Sequence, residues 1–417
     1  GEGTGHWELE IEGGGTVSGT FCVMGTGCLS TPNEPKIEGL GDFKGEVYHT
    51  GHWPHEKVNF AGKRVGAIGT GSSAIQAIPE IATEAAHLTV FQRTPNYTIP
   101  AQNRPLDPKE YEEIKARYGE LRAEAKKQPN GLIYDRSSRS ALETSEEERR
   151  AEFERRWAIG GTNFIASFND VMMNTEANEM AAEFVRGKIR EIVKDPKTAE
   201  ILTPHNIIGC KRLCVDTDYW TTYNRDNVDL VDVSKEPVER IVPEGVKAHG
   251  KVFEFDALVL ATGFDAMTGT LLRMNIRGRD GLPLKDKWAE GPRNYLGLAV
   301  AGFPNMFTVT GPGSPSVLAN MIPAIEQHVD WIADCLAYLT EKGVGEIEPV
   351  EEAESEWMEH VRVVGEASLR SHCDSWYVGA NVPGKPRIFM PYIGSVPEYA
   401  RRCNEAARKG YEGFRLA

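Results

Sequence analysis

The residue types able to do chemistry gather in a few short runs of this chain. In GTGSSA, residues Gly69, Thr70, Gly71, Ser72 and Ser73 precede Ala74 in the spacing G-x-G-x-x-A. The first glycine of such a run permits a tight turn, the second lets backbone approach a pyrophosphate, and the small third residue lets helix pack on strand. The N–H groups and dipole of the following helix then face the diphosphate. The next apolar run, HLTVFQ, leads into Arg93-Thr94 at a position where NAD-binding turns carry an acid. An arginine there suits a 2′-phosphate through bidentate, charge-assisted hydrogen bonds, which predicts NADPH over NADH. Lys211-Arg212 joins two cations between an apolar run and an acidic-aromatic one; residue type alone makes this a solvated turn. TGPGSP sets Gly311 and Gly313 before a long apolar-periodic run, where close backbone approach and a helix N-terminus would favour negative charge. FKGEVYHTGHWP, from Phe43 to Pro54, reads as a short glycine-containing turn followed by a loop rich in His and Trp.

Elements that could position these residues are legible around them. Strand RVGAI precedes the glycine turn, helix SAIQAIPEIA follows it, and HLTVFQ supplies the next strand. FCVMGTG (Phe21 to Gly27) and ALVLATG (Ala257 to Gly263) resemble each other, each an apolar strand ending in Thr-Gly. With a dinucleotide turn between them, the pair reads as two crossings between domains. The predicted layout is α/β, with two nested dinucleotide-binding (Rossmann-like) domains. Residues 1–27 and 264–417 form one of them, and 28–263 the other, with a helical insertion at about 107–194. Within that insertion EEERRAEFERRW predicts a solvated helical face. The run from Val317 to Lys342 predicts one long helix with a kink at Pro323. At the N-terminus, WELEI (Trp7 to Ile11), a GGG turn and TFCVM (Thr20 to Met24) predict a hairpin.

The bulk properties narrow the function classes. At 417 residues the chain is long enough for two or three domains, and its composition is 40% hydrophobic and 26% charged. A net charge of −14 without a basic stripe argues against a nucleic-acid partner. No run reaches the roughly 18 apolar residues of a membrane span. The spacing of the seven cysteines suggests packing roles and a cytoplasmic setting, with no metal site. The oligomeric state is not legible in the sequence, with a monomer favoured.

The order Phe-x-Gly-x-x-x-His-x-x-x-Trp-Pro, carried here by Phe43, Gly45, His49, Trp53 and Pro54 just upstream of a Rossmann turn, resembles the fingerprint of the type I Baeyer–Villiger monooxygenases. The resemblance extends along the chain through GCKRLCVDTDYW, ATGFDAMTG, FTVTGPGSPSVLANM and SWYVGANVPGKP. Those enzymes use NADPH to reduce FAD, form a C4a-peroxyflavin with O2, and insert one oxygen beside a ketone carbonyl. The resemblance implies that Arg212 projects over the flavin and stabilises the oxyanion. It implies that Lys211 and Arg93 hold the 2′-phosphate, and that the turn at Gly311 and Gly313 lies near the flavin. Ser316, Val317, Leu318 and Met321 would shape the substrate pocket, and Trp376 would close on the nicotinamide ribose. His49 and Trp53 would set domain orientation. Related flavin N- and S-oxygenating enzymes carry Phe-x-Gly-x-x-x-His-Ser at the fingerprint, unlike the His-Thr-x-x-Trp-Pro found here. Complete members also open with a second G-x-G-x-x-G turn for FAD. Residues 1–20 offer no counterpart, which predicts an incomplete flavin domain and raises a further alternative, an inactive nucleotide-binding module.

Overall fold

In the computed structural model, which describes residues 5–417, the chain forms two compact units. One comprises the residues up to Thr31, Leu106–Tyr134 and Asp265–Ala417; the other comprises Pro32–Pro105 and Asp135–Phe264. The chain passes between them a few residues beyond each Thr-Gly pair.

The second unit is built on five parallel strands: β1 (Glu46–His49), β2 (Arg64–Ile68), β3 (His87–Gln92), β4 (Val228–Asp232) and β5 (Ala257–Leu260). Their order across the sheet is β1-β5-β2-β3-β4. Parallel sheets are covered on both faces, and so they favour unbroken apolar runs over alternation. ALVL of β5 is buried at every residue, and RVGAI of β2 at all but its arginine. Helix α1 (Ser72–Glu84) leaves the end of β2 and buries Ala74, Ile75, Ile78, Ile81 and Ala82 along one face. Pro79 is accommodated inside it.

Helices Glu146–Ile159, Thr175–Ile192 and Pro196–Leu202 complete this unit's core. The charge-rich run EEERRAEFERRW is more than the solvated face expected of it. Phe153 is buried against Phe164 and Phe168, and Arg156 is buried beside it. Arg156 Nε donates to Glu152 Oε1 at 2.7 Å, and Nη1 donates to the Asp135 carbonyl at 2.6 Å. Glu152 also accepts two bonds of 2.8 Å from Arg155. A buried guanidinium is tolerated here because every edge of it finds an acceptor.

The first unit differs from expectation in three places. WELEI does pair into a hairpin, but its partner is Gly15–Gly19, with Leu9 opposite Val17. Gly13 and Gly15, both at positive φ, let the chain reverse sooner than a partner at Thr20 to Met24 would need. Cys22–Met24 lies instead parallel to Met306–Thr308. The long helix runs Met321–Lys342, because Asn320 caps it by accepting from Ile322 N–H; Pro323 falls in its first turn, where no kink results. Residues Leu106–Tyr134, expected within the insertion of the nucleotide domain, group with this unit. Asn320 N–H donates to the Asn130 carbonyl at 2.8 Å, Val396 N–H to the Pro129 carbonyl at 2.7 Å, and Glu326 pairs with Arg122 and Lys126. The core joins Met321–Lys342, Glu351–Glu366 and Val396–Arg408 around Trp331, Trp357 and Tyr399.

Arg155 foremost, and then Arg156, hold the Glu152 carboxyl down to about 2, against an ordinary 4.5. A depressed carboxylate contributes stability above its unfolded value and loses it as the pH falls through the folded one. Glu152→Gln should therefore cost about 3 kcal/mol at neutral pH, and the difference from wild type should shrink between about pH 4.5 and pH 2. Denaturant unfolding at stepped pH measures it; a difference that does not change with pH would rule out this linkage.

Candidate active site

The dinucleotide turn forms where β2 and β5 end side by side. Gly69 has φ +109°, and a Cβ there would stand 2.4 Å from the Ala261 carbonyl oxygen, so only glycine fits. Thr70 is buried and donates to the Thr94 carbonyl at 3.0 Å, while Asn96 donates to the Thr70 carbonyl at 2.7 Å. These bonds tie the turn to the segment following β3. Gly71 is the N-cap of α1 and faces open space, with nothing within 4 Å of a Cβ placed on it. No side chain caps the helix, so the N–H groups at Ser72 and Ser73 stay available to a ligand. Ala74 is buried against the sheet, as the third position of the motif requires.

Arg93 and Lys211 lie within each other's electrostatic reach. Burial, and then the Arg93 guanidinium, pull the Lys211 ammonium below its ordinary value. Neither side chain has a carboxylate or other acceptor among the described residues. Two neighbouring cations, one half-buried and both unopposed, form a site for a dianion. This is the physical fit of an adenosine 2′-phosphate. The Lys211-Arg212 pair is therefore not the wholly solvated turn that residue types suggested. Arg212 itself is exposed and borders a small cleft lined by Asn96, Tyr97, Asn206 and Ile207. Lys211 and Arg212 are separated by Leu213 alone from strand Cys214–Asp216, which pairs in parallel with Thr98–Pro100.

Four of the twelve residues from Phe43 to Pro54 form a strand, set between the turn and the loop expected there. Glu46–His49 is β1, the edge strand bonded to β5 along its length, from Ala257 opposite Glu46 to Leu260 opposite His49. Gly45 is required because a Cβ would lie 2.5 Å from the Asp256 carbonyl and 2.6 Å from the Phe43 ring. His49 Nδ1 accepts from Gly51 N–H at 2.9 Å, which places the ring proton on Nε2. Nε2 then donates to Thr262 Oγ1 at 3.0 Å, and Thr262 donates onward to the Asn33 carbonyl at 2.7 Å. Asn33 N–H closes the knot on the Gly263 carbonyl at 2.8 Å. Trp53 rests on Tyr48 and Phe60, with ring centroids 5.5 and 6.3 Å away, and is otherwise exposed beside Pro54. Thr262 went unnoticed as a site residue in the sequence; its only signal there was the repeated Thr-Gly.

In the first unit, Gly311 and Gly313 are both buried and are demanded by their own chain. A Cβ on Gly311 would meet Thr308 Oγ1 at 2.6 Å, and one on Gly313 would meet Asn294 Oδ1 at 3.0 Å. The helix starts at Met321, so the positive end predicted beside this turn is displaced by the coil that follows Ser314. Val317, Leu318, Met321 and Trp376 come together in one apolar cluster with Tyr377 and Phe389. Trp376 is half-buried in a single 3-10 turn and packs on Tyr377 with centroids 4.2 Å apart. Buried Ser316 Oγ, Thr268 Oγ1 and His328 Nε2 have no partner among the described residues; a polar ligand could satisfy such atoms.

Turn, helix terminus and unopposed cations define a dinucleotide-binding protein of the NADP type. No protein-family model matches the chain. It is 42% identical to the cyclohexanone 1,2-monooxygenase of Acinetobacter sp over 411 residues, 98% of this chain and 75% of that protein. It is 40% identical to a Baeyer-Villiger monooxygenase of Pseudooceanicola batsensis, over 98% of this chain and 75% of that one. Among solved structures, an oxidized steroid monooxygenase bound to NADP matches with a TM-score of 0.93 and 48% identity, over 99% of this chain and 78% of that one. The chain belongs to the Baeyer–Villiger monooxygenase family.

The expectation that Arg93 holds a 2′-phosphate is tested by replacing Arg93 with Ala. The replacement should raise the KM for NADPH about tenfold or more while leaving that for NADH nearly unchanged. Steady-state kinetics with the two nucleotides checks this, and equal effects on both would refute the assignment.

Proposed function

We propose that the chain is an NADPH- and FAD-dependent monooxygenase that inserts one oxygen atom of O2 beside a ketone carbonyl, giving an ester or lactone. The observation that carries this reading is β1. The fingerprint strand is bonded to β5, and its His49 is locked onto Thr262 where the chain leaves the nucleotide unit. His49 and Trp53 act in this reading as positioning residues that fix the exit of the chain, not as groups that touch substrate.

NADPH would lie along the carboxyl ends of β2 and β5, its pyrophosphate at Gly71, Ser72 and Ser73 and its 2′-phosphate between Arg93 and Lys211. Thr94 holds the turn through the carbonyl that Thr70 bonds. FAD, when bound, relays the reducing equivalents of NADPH to O2. The unpartnered polar atoms at Thr268, Ser316 and His328 support this reading, since a bound ligand would supply the partners they lack. Gly311 and Gly313 would serve it by shaping the turn on which they lie. Ser316, Val317, Leu318 and Met321 would bound the ketone, and Trp376 would cover the nicotinamide end and exclude water.

Arg212 carries the chemistry in this account. A guanidinium stays charged throughout turnover, and its donors can stabilise the negative oxygen that develops when the ketone carbonyl is attacked. Among the described residues, no helix is long and apolar enough to cross a membrane. A cytoplasmic location, where NADPH is supplied, belongs to the reading.

Arg212→Ala should lower ester formation by at least about a hundredfold, the usual loss when one preorganised oxyanion donor is removed. Product analysis by gas chromatography under saturating NADPH measures it. Substantial ester formation by the variant would exclude Arg212 from the role.

A further inference from the structure

We infer that Arg370 is a specificity-determining residue of the ketone site and selects substrates that carry a carboxylate. The inference rests on the reading of the site as a ketone pocket.

Arg370 sits in the 3-10 turn Leu369–His372, six residues before Trp376 in the chain. Its Nε is buried without a partner, and no carboxylate or carbonyl among the described residues accepts from its guanidinium. The residue nevertheless keeps part of its surface open, so a ligand can reach it. Its electrostatic neighbours are Tyr377 and Tyr134; burial pulls the guanidinium below its ordinary value and only these phenols oppose the shift.

Those two tyrosines locate the cation. Tyr377 belongs to the apolar cluster of Val317, Leu318, Met321 and Trp376. Tyr134 accepts from Asn130 Nδ2 at 2.8 Å, and the same segment is fastened to the start of the Met321–Lys342 helix. Asn320 N–H donates to the Asn130 carbonyl at 2.8 Å, and Asn320 Nδ2 to the Gly131 carbonyl at 3.2 Å. Arg370 thus stands at the edge of the cluster assigned to substrate, where three segments of one unit converge. A half-buried arginine is ordinarily paired, because desolvating a cation without an acceptor is costly. A planar fork of donors beside an apolar cluster matches a ligand with a hydrocarbon body and a carboxylate at one end.

The test compares 4-oxocyclohexanecarboxylate with 4-methylcyclohexanone in wild type and in Arg370→Met and Arg370→Lys. The ratio of kcat/KM for the keto acid to that for the neutral ketone should fall about tenfold or more in Arg370→Met, as for loss of a hydrogen bond to a charged group. Arg370→Lys should restore part of it. Calorimetric titration with cyclohexanecarboxylate, which lacks the reacting carbonyl, should show binding to wild type and none to Arg370→Met. An unchanged ratio together with equal binding overturns the inference, as does a raised KM for NADPH with no change toward the keto acid. A wild type that oxygenates neither ketone overturns the ketone-site reading itself, which separates the two failures.

Discussion

The close approach of β2 and β5 governs this structure. Their carboxyl ends lie so near that Ala261 N–H bonds the Ile68 carbonyl at 2.9 Å and Gly69 has no room for a side chain. This is the crevice beyond the strand ends where open α/β sheets bind their ligands. Everything assigned to the nucleotide depends on it. The turn can tighten only because Gly69 is glycine, and α1 can aim its N-terminus only from that turn. The same β5 that forms one wall of the crevice carries β1 on its other edge and then runs into Thr262. The nucleotide site and the fingerprint are therefore two sides of one strand.

That arrangement explains why so distant a pattern as Phe-x-Gly-x-x-x-His-x-x-x-Trp-Pro can travel with one kind of chemistry. Phe43 and Gly45 set how β1 crosses Asp256, and His49 fastens the end of that strand to the crossing. A histidine is suited to this because it can accept from Gly51 N–H on one nitrogen and donate to Thr262 from the other. Glutamine offers a similar pair of groups without the rigid ring that separates them, and phenylalanine keeps the ring without the bonds. The fingerprint constrains the path of the chain where it leaves the nucleotide unit.

Legibility in the sequence followed the range of the forces involved. The β-α-β unit around Gly69 could be read because its strand, turn and helix signals are local and agree with one another. Arg93 was picked out by counting from that turn, and it lies within electrostatic reach of Lys211. The hairpin partner was misplaced because alternation marks a strand without saying which neighbour it pairs with, and the glycines at 13 and 15 allowed an earlier reversal. The start of the long helix was misplaced because apolar periodicity continues through Val317 and Leu318, whereas the cap at Asn320 decides. β1 was hidden because EVYH has one exposed edge and little apolar pattern, so only its bonding to β5 reveals it. Arg156 looked solvated because burial of a cation depends on Asp135 and Glu152 arriving together, which no local pattern records.

Pairing of charge supplies a criterion that composition alone conceals. Acidic residues outnumber basic ones by 61 to 47, so carboxylates are plentiful. Buried arginines in structural roles have captured them: Arg156 has Glu152 and Arg186 has Glu179. Against that background Arg93, Lys211 and Arg370 stand without acceptors among the described residues. An uncompensated cation lowers stability, through self-repulsion at Arg93 and Lys211 and through desolvation at Arg370. Folding alone gives no reason to leave such groups unpaired in an acid-rich chain, whereas an anionic ligand does. Arg93 and Lys211 lie where the dinucleotide turn calls for a phosphate, and Arg370 lies where the apolar cluster calls for a substrate. The electrostatic argument proposed for the cofactor's phosphate thus extends to the substrate, at a residue for which no motif offered a signal.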